Sequence, residues 1–532
     1  MRTGCRILCA LAVINVPTFA RSHVPRLLAQ SSRLWNPEDR AFVTDLSVVT
    51  AVAVTRNIIY AATPNGLAVY DRGMRKWKQT VGPLDGFPRG SVTAMVADPN
   101  DDTAWLGGQG AWMSYDPFTR RMETGSLPGT TDQVILDARS PGRGAWFHTT
   151  AGWYEVPKGG LVAAPGTPPA TRVGGLTGRD LITRLPAFDA VRMRIERDDQ
   201  LRTYQMTAAA QTPVTNEIVV GTNGNGAFQV DPVSYGTDQL PMGLLGASTG
   251  AITVARGQVC AASNARIQSA RRGITCFDEG LGRFSYLESA GLTTLPGGNV
   301  RRILVTERSI WLATDQGLVR APRRGGRPVQ LLARDGLPDD QIYGLAAAPE
   351  GAYVGTLHGM ALVSDTGRAL VVEAKAGGLA VLSIANPTSD TIWAGTSAGV
   401  VGFPLPIGGP VVIPVGSAEQ REPVFAIAMR GDTILASTAT HLLIRQHGLW
   451  RVVDPPGTPV GQIAAISAGE TGFFIAGDRG FAWYDPVRPL WNALIQPGDV
   501  APPVHDIAAT RDYIWIATDI GVFRYEKRVV VP

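Results

Sequence analysis

Ile310-Trp311-Leu312-Ala313-Thr314-Asp315-Gln316-Gly317-Leu318 returns as Ile392-Trp393-Ala394-Gly395-Thr396-Ser397-Ala398-Gly399-Val400, and again as Ile514-Trp515-Ile516-Ala517-Thr518-Asp519-Ile520-Gly521-Val522. The shared frame is apolar-Trp-x-small-Thr-x-x-Gly-apolar. It recurs around Gly66, Gly110, Gly152, Gly226, Gly273, Gly317, Gly359, Gly399, Gly480 and Gly521, with a degenerate copy that has His441 in the Gly slot. Consecutive anchors lie 39 to 47 residues apart, except for the gap of 74 between Gly152 and Gly226. Self-similarity at this period marks an architecture of stacked units that cannot bury their apolar faces alone.

Each unit reads as four strands. An apolar stretch such as Ser91-Val92-Thr93-Ala94-Met95-Val96 comes first and the Trp strand second. A third strand ends in aromatic-Asp (Tyr70-Asp71, Tyr115-Asp116, Phe277-Asp278, Tyr484-Asp485), and a fourth is centred six residues later on Trp77, Met122, Phe284 and Trp491. Thr-x-x-Gly is a short hairpin in which Gly supplies a positive φ. The second strand is apolar on both faces, as a sheet sandwiched between neighbours requires. The expected fold class is therefore all-β: a β-propeller of about eleven four-stranded blades, in one large ring or two smaller rings. Leu34-Trp35-Asn36 repeats the fourth-strand sequence Leu490-Trp491-Asn492 without a blade of its own. The last unit lacks room for its fourth strand, so an N-terminal strand near Trp35 is expected to pair with residues 522–525 and close the ring, removing an open edge.

Outside the repeat, Met1 to Arg6 carries two arginines, Ile7 to Val16 is apolar, and Thr18-Phe19-Ala20 offers small residues for cleavage. Residues 1–20 have the plan of a secretory signal peptide, and no stretch reaches the length of a membrane span. The expected location is periplasmic or secreted, with the propeller over 31–532. Residues 157–203 interrupt the period as an insertion. Phe188, Val191 and Ile195 stand at helical spacing within it, and excising roughly 165–200 is expected to leave a soluble β-rich protein. The net charge of +4 is spread along the chain, and no basic block with interleaved aromatics points to nucleic acid.

The frame Leu-Trp-apolar-small-Thr-x-x-Gly-Leu-x-x-Tyr, with Gly336-Leu337-Pro338 and more loosely Gly86-Phe87-Pro88 before first strands, resembles the two-component-regulator propeller repeat. That resemblance implies a sensor-type propeller. In the family, such propellers are periplasmic ligand-sensing domains followed by an Ig-like domain, a transmembrane helix and a histidine kinase. None of these follows before Pro532, so the expectation here is a soluble binding or scaffold protein.

No catalytic constellation emerges. His-Glu-x-x-His and phosphate-cradling Gly-Lys-Ser/Thr are missing from the sequence. Gly221-Thr222-Asn223-Gly224-Asn225-Gly226 sits at a hairpin anchor and reads as a turn. Asp315, Asp478 and Asp519 share one turn slot, and Asp71, Asp116, Asp278 and Asp485 another; short acidic side chains there cap their own backbone. No metal and no cofactor are expected. Propeller topology puts the second-to-third hairpins and the blade-to-blade links on one face. That face is expected to carry Asp85, Arg89, Arg301, Arg302, Asp335, Asp339, Asp340, His358, His441 and His505, and to hold a small polar ligand or a protein partner. Two functions follow: a non-catalytic exported binding propeller, or a propeller enzyme (hydrolase or lyase) with a central-pocket site. The enzyme requires perturbed titratable groups over the pore.

Cys260 falls three positions before the Thr slot of its unit and Cys276 three after the Gly. Positions equidistant from a hairpin turn face each other, at the short end of disulfide geometry. A Cys260–Cys276 disulfide is expected, clamping a loop that carries Arg266, Arg271 and Arg272.

Overall fold

The computed structural model describes residues 36–531 apart from 89, 91, 129–133, 169–188, 213–214, 265–272, 289–298, 325, 368–369, 386–390, 406–417 and 454–457. The repeat frame has a local physical basis. The buried Thr hydroxyl donates to the carbonyl of the frame Gly, at 2.6 Å for Thr314, 2.8 Å for Thr396 and 2.8 Å for Thr518. It also accepts a backbone N–H from two residues on, at 3.1 Å from Gln316 and 3.3 Å from Ile520. A single side chain thus satisfies a hairpin too tight for ladder bonds. The Gly itself sits at positive φ, +108° at Gly317 and +148° at Gly521.

Eleven antiparallel sheets follow in chain order. Blades 1–4 span 51–81, 94–126, 137–166 and 206–239. Blades 5–11 span 249–288, 300–331, 342–377, 381–404, 426–452, 463–494 and 504–526. Ten sheets have four strands, and blade 8 has three among the described residues. The outer strand of blade 11 is β1 (Arg40–Val43), which pairs from Arg40↔Tyr525 to Val43↔Val522. The N-terminal segment does close the ring, but the strand starts five residues beyond Trp35, which lies outside the described residues.

Packing decides the number of rings. Seven buried apolar clusters join blades 5 to 6, 6 to 7, 7 to 8, 8 to 9, 9 to 10, 10 to 11 and 11 back to 5. Seven blades sharing seven cores form a closed ring. At its seam Trp515 packs on Phe277, ring centroids 5.5 Å apart. Among the described residues, blades 1–4 share three such cores, in the spatial order 4-1-2-3. They form an arc. The chain crosses between ring and arc twice, through 44–50 and 240–248. These segments bond to each other: Leu46 N–H to the Met242 carbonyl and Leu244 N–H to that of Thr44, both at 2.9 Å.

Between blades 3 and 4 lies helix α1 (Asp189–Glu196). Its Val191 and Ile195 are buried against Ala209, Ile218, Val220, Phe228 and Val230, on the face of blade 4 turned away from blade 1. Asn225 donates to the Ile195 carbonyl at 3.1 Å. The helix does the covering that a neighbouring blade does elsewhere. Excising roughly 165–200 would remove this cover and bare an apolar sheet face.

Candidate functional site at the mouth of the seven-blade ring

The inner strands of the ring carry the same irregularity. In blades 5, 6, 7, 8, 10 and 11 the register skips Gly250, Arg301, Tyr343, Leu382, Ala464 and His505. In blade 9 pairing begins at Ala426↔Ser437, and Phe425 fills the equivalent slot. Such a bulge turns one side chain out of the sheet. Every skipped residue except Arg301 is less buried than both its neighbours, and Phe425 is 45% exposed between buried Val424 and Ala426. Being at the start of the inner strand, the slot stands at the end where hairpins and links converge. The seven slots ring the mouth of the central channel.

Below the mouth is a cavity of about 220 Å³ walled by all seven inner strands. Ile, Ala and Leu make most of the wall, with Thr253, Ser383, Ser467, Arg302 and Asp506 as its polar points. The Arg302 guanidinium lies 3.7 Å from Asp506. Burial pushes the Asp506 carboxyl up, against the opposing pull of Arg302 and two backbone N–H donors. Those donors are Ile252 in blade 5 and Ile507 in its own strand, both at 3.0 Å. Each carboxylate oxygen thus accepts a backbone hydrogen bond, and one of them spans the closing seam.

At the mouth, the Arg301 guanidinium lies 4.0 Å from the centroid of the Tyr343 ring and donates to the Ile342 carbonyl at 3.3 Å. His505 Nε2 lies 2.8 Å from Asp519 Oδ1, which also accepts from Ser248 at 3.2 Å. Outside this circle, His358 pairs with Asp339, and His441 lies 3.3 Å from Glu422. Each of those pairs ties a second-to-third hairpin to the preceding link. Burial alone would raise Asp339, but hydrogen bonds from the Gln341 N–H and His358 hold its carboxyl below the usual range. Glu422 is likewise held low, by hydrogen bonds from Thr438, His441 and Thr440.

The residues singled out from sequence thus separate. Arg301 and His505 stand at the mouth, and Asp339 and His358 form one pair on the rim. Asp335 caps the turn Ala333–Asp335, accepting the Leu332 N–H at 2.9 Å. Asp85 caps the matching turn Pro83–Asp85 through the Gly82 N–H at 2.9 Å, and binds Arg40 at 2.6 Å, far from the mouth in sequence and in blade. Arg89 lies outside the described residues, as do residues 1–20 and the arginines of the loop 265–272. Asp116, Asp278 and Asp485 accept backbone N–H groups of their own turns at 2.8 to 2.9 Å. No cluster of three metal-ligating side chains occurs among the described residues. Cys260 and Cys276 are cross-strand partners joined as a disulfide, with Cα atoms 4.1 Å apart.

Ring, arc and mouth together define a two-part β-propeller whose open channel end is its most elaborated surface. No family model matches this chain, and no curated protein is similar to it in sequence. Among solved structures, it aligns over 91% of its length with the extracellular domain of a proposed one component system from B. thetaiotaomicron, at TM-score 0.45 and 12% identity, covering 76% of that chain. A proposed hybrid two component system from the same organism gives 90% coverage, TM-score 0.44 and 14% identity over 68% of its extracellular domain. Virginiamycin B lyase from Staphylococcus aureus aligns with 52% of this chain and 94% of its own, at TM-score 0.41 and 15% identity.

Proposed function

We propose that this chain is an exported, non-catalytic propeller that captures a small polar ligand or a protein loop at the mouth of its seven-blade ring. One observation carries the reading. A bulge repeated in six of the seven blades, with Phe425 in the equivalent slot of the seventh, puts Gly250, Arg301, Tyr343, Leu382, Phe425, Ala464 and His505 around the mouth, and five of these slots supply a cation, aromatics, an aliphatic and a titratable group. Exposed aromatics and Arg around a concave opening are the usual anchors of a recognition surface. The disulfide supports an oxidising compartment. Among the described residues, the hydrolase or lyase reading would rest on Asp506 with its neighbour Arg302, and both oxygens of Asp506 already accept backbone N–H groups, as in a latch.

Native mass spectrometry of protein purified from its own cells, beside crosslinking of intact cells, tests this. The expected result is a bound small molecule or a crosslinked protein that is lost in both Arg301→Ala and Phe425→Ala while melting is unchanged. Retention of the same species in both variants would count against the mouth as the site.

A further inference from the structure

The inner strand of each ring blade is the end strand of its sheet, so one of its edges faces the channel without a neighbour. The register decides which groups stand on that edge. In blade 8 the Ala385 N–H bonds to the Trp393 carbonyl at 2.9 Å. The preceding pair, Ile384↔Ala394, is therefore a non-bonded pair, whose N–H and C=O groups point away from each other. Ile252, Ile303, Leu345, Ile427 and Ile466 hold the same place in their blades, two residues past the mouth slot. With Ile384 they wall the cavity below the mouth. The protein already bonds a carboxylate with such groups: the Ile252 N–H and, from the same place in blade 11, the Ile507 N–H donate to Asp506. The N–H groups of Ile303, Leu345, Ile384, Ile427 and Ile466 have no acceptor among the described residues. Arg302 adds charge to this edge. Its side chain is 30% exposed on the cavity wall. Among the described residues its guanidinium makes one hydrogen bond, from Nη1 to the Arg301 carbonyl at 3.1 Å. Asp506 stands 3.7 Å away with both oxygens engaged, so most of the guanidinium donors are open to a ligand.

We propose that the channel holds a small hydroxylated carboxylate, its head group taken by the Arg302 guanidinium with free-edge N–H groups, and its hydroxyls by the C=O groups of the same edges. The proposal rests on reading the channel end as a recognition surface, and it names the chemistry recognised there. Sheet edges with convergent N–H groups form anion-binding concavities, and a guanidinium meets a carboxylate with two parallel bonds. The same guanidinium opposes a cationic ligand. A cavity of about 150 Å³ takes up one benzene molecule, so about 220 Å³ holds about nine non-hydrogen atoms. That is the size of a four-carbon hydroxy acid.

Calorimetric titration at low ionic strength with erythronate, with the neutral erythritol and with the amine 4-aminobutane-1,2,3-triol tests the inference. Erythronate should bind saturably and raise the melting temperature; the other two should do neither. Arg302→Gln should weaken erythronate binding roughly ten-fold or more, with Arg302→Lys in between. Arg302→Gln leaves both backbone bonds to Asp506 in place, and its melting without ligand checks the fold. Ser467→Leu, at a half-buried position of the wall, narrows the cavity with Arg302 intact and should also weaken binding. Equal binding of erythritol, preference for the amine, or parental affinity in the folded Arg302 and Ser467 variants overturns the proposal. So does the lack of any erythronate binding; the mouth reading then still stands if the species from cells is lost in Arg301→Ala and Phe425→Ala. Erythronate binding that depends on Arg302, beside a cell-derived species retained in both rim variants, would instead overturn the mouth reading and keep this one.

Discussion

The glycine of the frame is held by two constraints at once. At Gly521, φ is +148°, and an added Cβ would stand 2.4 Å from the Val43 carbonyl oxygen of the closing strand. Gly521→Ala should therefore destabilise by about 2–3 kcal/mol, since the backbone strain and the clash cannot both be relieved. A shifted denaturant midpoint would show it. Blade 9 is the internal control. His441 occupies the slot without a positive φ, its hairpin closing through Thr438 and His441 backbone bonds at 2.9 Å. His441→Gly should change stability by less than about 1 kcal/mol. The cysteine pair is a second residue-scale case. It closes a separation of 16 residues, and reduction should cost about 3 kcal/mol in the chain-entropy account, less any strain. Thiol titration of denatured protein lacking residues 1–20, and with them Cys5 and Cys9, should find two thiols only after reduction; two free thiols before it would remove the bond from the native protein.

Between elements, buried polar contacts pin one blade to the next. Asp365 in blade 7 receives Arg320 of blade 6 through two bonds, at 2.9 and 3.0 Å, and Ser309 at 2.5 Å. Burial alone would raise this carboxyl, but Ser309, the Gly367 N–H and Arg320 outweigh it and hold it below its ordinary value. A carboxylate depressed on folding contributes stability that is complete above its unfolded pKa, about 3.9, and is lost as pH falls through the lower folded value. Arg320→Ala leaves the carboxylate buried and partly unpaired, which should cost about 3 kcal/mol near neutral pH, and should move the acid-unfolding midpoint upward. An unmoved midpoint would make the pair incidental. Helix α1 works on the same scale by apolar cover. Val191→Asp places a charge against Phe228 and Val220, so blade 4 should loosen, read as faster hydrogen exchange over 206–239.

On the scale of the molecule, residues 40–43 complete blade 11 and the chain then enters the arc through 44–50, so one stretch of chain serves both units. Phe42 is its anchor: 2% exposed and stacked on Phe523 at 4.6 Å between centroids. Phe42→Ala should cost about 3–5 kcal/mol as a large core truncation. It should also free the edge of the strand Gly521–Glu526, giving a ring that binds hydrophobic dye and self-associates. A monomeric variant with parental melting would show that blade 11 closes without its outer strand. The crossing depends on Gly243, where a Cβ would meet the Thr44 carbonyl oxygen at 2.0 Å.

The repeat, its four-strand unit and the cross-strand cysteines were legible in the chain because each depends on spacing within about forty residues, and the closing role of the N-terminal segment was legible because a fourth-strand sequence is copied where the last unit is one strand short. The mouth was half legible. Val300-Arg301-Arg302-Ile303, Ile342-Tyr343-Gly344-Leu345, Val381-Leu382-Ser383-Ile384, Val424-Phe425-Ala426-Ile427 and Val504-His505-Asp506-Ile507 align as apolar-x-y-apolar, and the variable second position is the displayed slot. A search for charges finds Arg301 and His505 there and passes over Tyr343, Leu382 and Phe425, since apolar residues in a strand read as core. Likewise Asp85 and Asp335 each cap a turn, a role that their position in the sequence did not announce. What no spacing contains is which blade meets which. That blade 11 returns to blade 5, leaving four blades as an arc, follows from how side chains of blades far apart in sequence interlock. The cavity between ring and arc exists only because of that choice. Local sequence fixes hydrogen bonding within a sheet; the order of sheets is settled by shape and burial between them.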